Sequence, residues 1–138
     1  MIAHSEWKGS TIFEGIAENG NSVFFDADPA HDHGPSPMEA VLMALCACTS
    51  VDVVSILEKK RQALLGLKVT AAATQAESAP RVFTRIMLTY EVSGMLNRKA
   101  VEDAVALSKN KYCSVSLMLE KAATIEYEIV FVDGEPEA

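Results

Sequence analysis

The sequence predicts an α+β fold built mostly from antiparallel strands, and three observations carry that expectation. Six segments read as strands, several with apolar and polar residues alternating at the two-residue period. One segment, residues 37–62, reads as a long helix with a continuously apolar first half. The order of these elements, βββ-α-ββ-αα-β, lacks the regular βαβα alternation that produces a parallel sheet.

Residues 12–17 and 22–27 flank Glu18-Asn19-Gly20-Asn21, and Asn-Gly is a strong hairpin signal because both residues tolerate positive φ. The N-terminal part is therefore expected to be antiparallel sheet. Trp7, Phe13, Phe24 and Phe25 are read as its core, or as the lining of an apolar substrate pocket. Residues 28–36 collect Asp, Pro, His and Gly and read as a loop, with Ser36 as N-cap and Pro37 as the first helical position. The helix runs to about Gln62. From Met38 to Cys48 it is apolar all round except at Glu39, so it must be covered on every side. Its end, Glu58-Lys59-Lys60-Arg61, reads as solvated.

Residues 67–75 alternate Leu67, Val69, Ala71 and Ala73 on one strand face, and residues 82–93 place Val82, Ile86, Leu88, Tyr90 and Val92 on one face of the next. Glu77-Ser78-Ala79-Pro80 turns between them. Asn97 caps a second helix with an apolar stripe of Ala100, Val101, Ala104 and Val105, and Asn110-Lys111 marks its end. Residues 112–122 form a short third helix. Residues 123–132 form a closing strand with Ile125, Tyr127, Ile129 and Phe131 on one face, and residues 134–138 are expected to fray.

A chain of 138 residues suits a single domain, 1–138. Twelve Lys and Arg against nineteen Asp and Glu give a net charge of −7, the wrong sign for collecting nucleic-acid phosphates. The longest apolar run, residues 40–48, is nine residues against the roughly twenty of a membrane span, so no membrane partner is expected. No charged-then-apolar leader opens the chain and three cysteines cannot all pair, which points to the reducing cytoplasm. One sheet of six short strands has too little surface to wrap the long helix, and a second copy of the chain would supply the cover.

Cys46 and Cys48 are two residues apart, about 200° around a helix, so they can neither bridge each other nor converge on one metal ion. Cys113 begins the third helix, where backbone N–H groups favour a thiolate. Any of the three is equally compatible with packing as a small apolar residue.

The segment Gly34-Pro35-Ser36-Pro37-Met38-Glu39-Ala40 leading into Leu45-Cys46-Ala47-Cys48-Thr49-Ser50-Val51-Asp52-Val53-Val54, with Tyr112-Cys113-Ser114-Val115-Ser116 later, resembles the OsmC/Ohr family and within it the YhfA-like branch. The resemblance covers nearly the whole chain. It implies two antiparallel-rich sheets wrapped around long central helices in an intertwined homodimer. It also implies thiol peroxidase chemistry on organic hydroperoxides in oxidative-stress defence, with Cys48 at the attacking (peroxidatic) position and Cys113 at the resolving one. Cys46 has no family role and is read as core. No cofactor is implied beyond an external dithiol, small or protein, as reductant. A model thiol near pKa 8.5 is only roughly 3% ionised at pH 7, so an attacking thiol needs help to become a thiolate.

Ohr-type members use an N-terminal arginine beside the attacking cysteine, held by a glutamate just after the proline. This chain has no arginine before Arg61, and Lys8 is the basic residue of its first two strands. Met38 follows Pro37, with Glu39 one place later as the remaining carboxylate candidate. Glu39 and Cys48 stand about 180° apart on an ideal helix, whereas Glu39 and Cys46 share a face. Asp52 lies one turn beyond Cys48, where an ionised carboxylate opposes a second negative charge. These departures leave a second expectation open: a dimeric binding module for an apolar small molecule with little or no peroxidase activity. A hotdog-type thioester enzyme shares the long wrapped helix but gives the cysteines no part.

His31-Asp32-His33 offers two metal-type ligands or a base, but lacks a third ligand in register, so no metal is expected and a solvated loop is the simpler reading. Lys109, Lys111 and residues 58–61 read as solvated helix ends. Glycine-rich phosphate loops, Gly-x-Ser-x-Gly elbows and Cys-x-x-Cys pairs are absent.

Overall fold

The computed structural model describes residues 1–132; the tail expected over residues 134–138 lies outside the described residues. The elements are β1 (Ala3–Trp7), β2 (Ile12–Ala17), β3 (Ser22–Asp26), α1 (Pro37–Lys59), β4 (Ala63–Gln75), β5 (Phe83–Met95), α2 (Arg98–Leu107), a π-helical turn (Ser108–Tyr112), α3 (Ser114–Leu119) and β6 (Thr124–Phe131). The chain forms two compact units, Met1–Leu42 and Met43–Ala138.

The six strands do not join in one sheet, as the element order had suggested. They form two three-stranded sheets, ordered β1-β2-β3 and β4-β5-β6. β5 and β6 run parallel, and the chain returns between them through α2, the π-turn and α3, because a parallel pair needs a crossover that a hairpin cannot make.

In the first unit the β2–β3 hairpin sits where Asn19-Gly20 placed it. Gly20 alone takes positive φ (94°), and its N–H donates to the Ala17 carbonyl at 2.9 Å, so the turn is not the type in which both residues are left-handed. Trp7 (68%) and Phe24 (46%) are exposed, which corrects their assignment to the core; β1 is exposed along its whole length. Asp26 is the buried group here, at 2% exposure. Its carboxylate accepts from Thr11 Oγ1 (2.7 Å) and from the backbone N–H of Asp28 (2.9 Å) and His33 (3.2 Å), and it pairs with His33 Nδ1 (3.1 Å). Its carbonyl bonds to His31 Nδ1 at 2.9 Å. Gly34 lies against β3 so closely that a Cβ would stand 2.3 Å from the Phe24 carbonyl oxygen. The loop between β3 and α1 is therefore anchored to the strand rather than simply solvated.

At the start of α1, Ser36 Oγ accepts from the Glu39 N–H (3.1 Å) and Glu39 Oε1 accepts from the Ser36 N–H (3.0 Å), a capping box. The helix stops at Lys59, three residues before the expected Gln62, because Arg61 turns left-handed (φ 56°). The Arg61 N–H then bonds to the Glu58 carbonyl and the Gln62 N–H to the Leu57 carbonyl, each at 2.9 Å, a Schellman closure.

In the second unit, α1 buries a stripe of Leu45, Thr49, Val53 and Leu57, spaced by four and each at 0% exposure. Met43 (58%) and Val51 (67%) are exposed, so the chain alone does not give the helix the all-round cover its composition requires. The helix as a whole, 23 residues, is also long and apolar enough by length and composition to cross a membrane, which the nine-residue run had concealed. Its buried stripe and the hydrogen-bonded Asp52 described below show protein cover on one face.

β4 and β5 pair antiparallel from Ala63↔Met95 to Gln75↔Phe83. Near Phe83 the register skips Thr84, and this bulge reverses the alternation. Phe83 is therefore buried and Val82, expected inside, is 49% exposed, while Ile86, Leu88, Tyr90 and Val92 are buried as expected. Val101, Ala104 and Val105 bury the α2 stripe. Asn97 caps α2 through its side-chain oxygen, which accepts from the Ala100 N–H at 2.9 Å. Asn110-Lys111 does not end that helix: α2 passes at Ser108 directly into the π-turn.

Two outcomes follow from this packing. Leu45→Ala should lower unfolding free energy by about 2–5 kcal/mol in a urea titration. The hydrogen bonds to Asp26, that from Thr11 first, hold its carboxyl below the ordinary aspartate range. A depressed folded-state pKa stabilises the fold above the unfolded value and is lost as pH falls through roughly 4 and below. Asp26→Asn should thus melt lower than wild type at pH 7 and show a flatter loss of stability below pH 4.

Candidate functional site

The two cysteines of α1 point to different neighbours, as their spacing requires. The Cys46 thiol receives a hydrogen bond from the Ala71 backbone on β4, and burial pushes its pKa up. The Cys48 thiol instead meets the Cys113 thiol in a side-chain hydrogen bond, although 65 residues separate them in the chain. Both are free thiols.

Local structure explains how Cys113 reaches that position. The π-turn inserts an extra residue between α2 and α3, and the Cys113 N–H closes it by donating to the Ser108 carbonyl five residues back, at 2.7 Å. Cys113 then takes extended backbone (φ −75°, ψ 102°) as the N-cap of α3, and its sulfur accepts from the Ser116 N–H at 3.4 Å.

Cys113 is fully buried, whereas Cys48 is half-buried. Burial raises the Cys113 pKa to about 11, with the Cys48 hydrogen bond and the Asp52 charge acting in the same direction; the Ser116 N–H works against them. The helix N-terminus was expected to favour a thiolate at Cys113, and burial outweighs it. Cys113 is thus the enclosed thiol of the pair, biased toward its protonated form, and Cys48 is the half-buried one.

A buried polar chain runs beside the pair. Ser108 Oγ donates to Asp52 Oδ2 at 2.8 Å, Thr49 Oγ1 lies 2.8 Å from Ser108 Oγ, and Tyr90 OH lies 2.6 Å from Thr49 Oγ1. With the Ser108 proton committed to Asp52, Thr49 must donate to Ser108 and Tyr90 to Thr49. Burial, its first cause, pushes the Tyr90 hydroxyl up to about 12, which keeps it a donor. Sequence reading missed this chain: Tyr90 was assigned only to packing, and Asp52 only to opposing charge. The available signal was that a buried tyrosine hydroxyl needs a partner. Beside Asp52 opens a cavity of about 560 Å³, lined by Ser55, Ile56, Leu107, Tyr112, Lys59 and Lys60.

The other candidates are engaged elsewhere. Glu39 is exposed and held in the capping box, with His31 Nε2 3.7 Å from its carboxylate. Lys8 pairs with Glu6 (3.1 Å) and Glu14 (3.5 Å) in its own sheet. His31 and His33 bond to Asp26, and among the described residues no group of three His, Cys, Asp or Glu side chains is placed to hold a metal.

This asymmetry predicts an order of labelling. With a pKa near 11, roughly one Cys113 in a thousand is thiolate at pH 8. Iodoacetamide at pH 8, followed by peptide mass spectrometry, should modify Cys48 well before Cys113 in the folded protein, with the difference abolished in denaturant.

The fold has counterparts among known proteins. Protein YhfA of Escherichia coli (strain K12) is 45% identical over 133 residues, covering 94% of this chain and 98% of the relative. An OsmC-like protein from Mycoplasma pneumoniae superposes with a TM-score of 0.84 at 15% identity, over 95% of this chain and 96% of that one. The organic hydroperoxide resistance protein OhrB of Bacillus subtilis gives a TM-score of 0.64, also at 15% identity, over 94% and 98%. At such identities these two likenesses concern the fold. The OsmC-like protein family model matches residues 30–128, a span that includes both Cys48 and Cys113, and the chain belongs to that family.

Proposed function

We propose that this protein is a cytoplasmic, homodimeric, thiol-dependent reductant of organic hydroperoxides. The observation that carries the proposal is the side-chain hydrogen bond between a half-buried Cys48 and a buried Cys113. In the first step the Cys48 sulfur attacks the terminal peroxide oxygen. The O–O bond breaks, an alcohol leaves with one proton, and Cys48 becomes a sulfenic acid. Cys113 then attacks that sulfur, the S–O bond breaks, water departs with the Cys113 proton, and a Cys48–Cys113 disulfide results. An external dithiol takes up the oxidising equivalents and restores both thiols. Cys46 lies outside the cycle, and so does Glu39, whose carboxylate serves the cap.

A second reading, a dimeric binding module for an apolar small molecule, is favoured by the pairing of Lys8 with Glu6 and Glu14, which engages the basic residue of the first two strands within its own sheet. The two readings separate cleanly in a peroxide-consumption assay with dithiothreitol as reductant. Peroxidase function predicts that Cys48→Ser consumes cumene hydroperoxide at the uncatalysed rate. It also predicts that, with dithiothreitol left out, Cys113→Ser reacts with about one equivalent and then stalls as a Cys48 sulfenic acid trapped by dimedone. Equal slow rates in wild type and Cys48→Ser would leave the binding module standing.

A further inference from the structure

The buried chain of Tyr90, Thr49, Ser108 and Asp52 takes no part in the sulfur chemistry, yet it connects the elements that bear both thiols. Asp52 lies one helical turn from Cys48 on α1. Ser108 opens the π-turn, and its backbone carbonyl holds the Cys113 N–H at 2.7 Å. Its side chain holds α1 twice, through Asp52 Oδ2 and Thr49 Oγ1, each at 2.8 Å. Ser108 is thus bonded on one side to the helix of Cys48 and on the other to Cys113 itself. π-helical geometry is rare and occurs mostly as single turns, frequently at functional sites. These side-chain bonds fasten this one to α1.

We propose that Asp52 and Ser108 are positioning residues: a hydrogen-bonded clamp that holds the π-turn against α1 and so keeps the Cys113 thiol on Cys48 for disulfide formation. The proposal rests on the redox reading above and adds which residues govern its second step, in which Cys113 displaces the sulfenic hydroxyl as water. Asp52 acts in the clamp as a hydrogen-bond acceptor for Ser108. The first step, at the Cys48 sulfur and the peroxide, does not require Cys113 and is separable from the clamp.

The test oxidises wild type, Asp52→Ala, Ser108→Ala and Asp52→Asn with one equivalent of cumene hydroperoxide, traps sulfenic acid with dimedone, and quantifies disulfide against trapped Cys48 by peptide mass spectrometry. A parallel arm uses diamide, which takes one hydrogen from each thiol and becomes the hydrazine, so closure is read without any peroxide. Displacing reacting atoms by about an ångström slows a step by one to two orders of magnitude, so both alanine variants should close roughly tenfold or more slowly, while Asp52→Asn, which still accepts from Ser108, should stay within about threefold of wild type. Both alanine variants should still unfold cooperatively, and Asp52→Ala, at a half-buried position, carries the test if Ser108→Ala does not fold. Wild-type closure in the alanine variants, or an asparagine variant as slow as alanine, would overturn the clamp. If diamide closes the wild type but hydroperoxide does not oxidise it, the peroxidase reading falls and the clamp is judged on the diamide rates. If neither oxidant closes it, both fall.

Discussion

A hydroxyl group sealed from water must find its partner inside the protein, and at Thr49 that requirement organises the second unit. Thr49 sits in the middle of the apolar stripe by which α1 packs, at 0% exposure. Leaving its oxygen unpaired there would cost on the order of 1–3 kcal/mol. The oxygen is instead shared between Tyr90 on β5 and Ser108 at the π-turn. Among the described residues no buried side-chain nitrogen or oxygen lacks a hydrogen bond. One polar residue in an otherwise apolar stripe therefore ties helix, strand and turn together, in a way that apolar packing alone would not specify.

The same network borders the meeting point of Cys48 and Cys113. Ser108 is pinned by its side chain, its carbonyl receives the Cys113 N–H, and Cys113 is delivered beneath α1 as the cap of α3. Delivery into a buried position decides the character of the thiol. The N-terminal N–H of α3 favours a thiolate, but desolvation acts more strongly, so the sulfur stays protonated. Cys48, one turn before Asp52, stays half-buried. The division of labour between two chemically identical side chains comes from depth and hydrogen bonding.

Charges in the first unit are satisfied locally. Asp26 gathers Thr11, Asp28 and both loop histidines, Glu39 closes the start of α1, and Lys8 lies between Glu6 and Glu14. Each would be a candidate acid, base or cation if judged by residue type alone. Hydrogen-bond partners within a few residues, or on the next strand, give every one of them a structural role.

How much was legible in the sequence depended on the range of the interaction. Asn19-Gly20, Ser36-Pro37 and Asn97 located a hairpin and two helix starts, because turn and cap preferences are properties of a few consecutive residues. The divergence of Cys46 and Cys48 followed from helical periodicity alone, and the family motifs marked Cys48 and Cys113. Val82 and Phe83 were misassigned because a bulge one residue long reverses strand phase without changing composition. The two sheets came from the family resemblance and not from the strands themselves, whereas the parallel β5–β6 pair, the burial of Asp26 and the chain from Tyr90 to Asp52 were invisible, since each joins residues distant in sequence. The sequence by itself determined the elements and the two candidate sulfurs; only the tertiary structure decided that those sulfurs meet, that burial opposes a thiolate at Cys113, and which groups surround them. The reason is that burial and long-range hydrogen bonding do not exist until the chain has closed on itself.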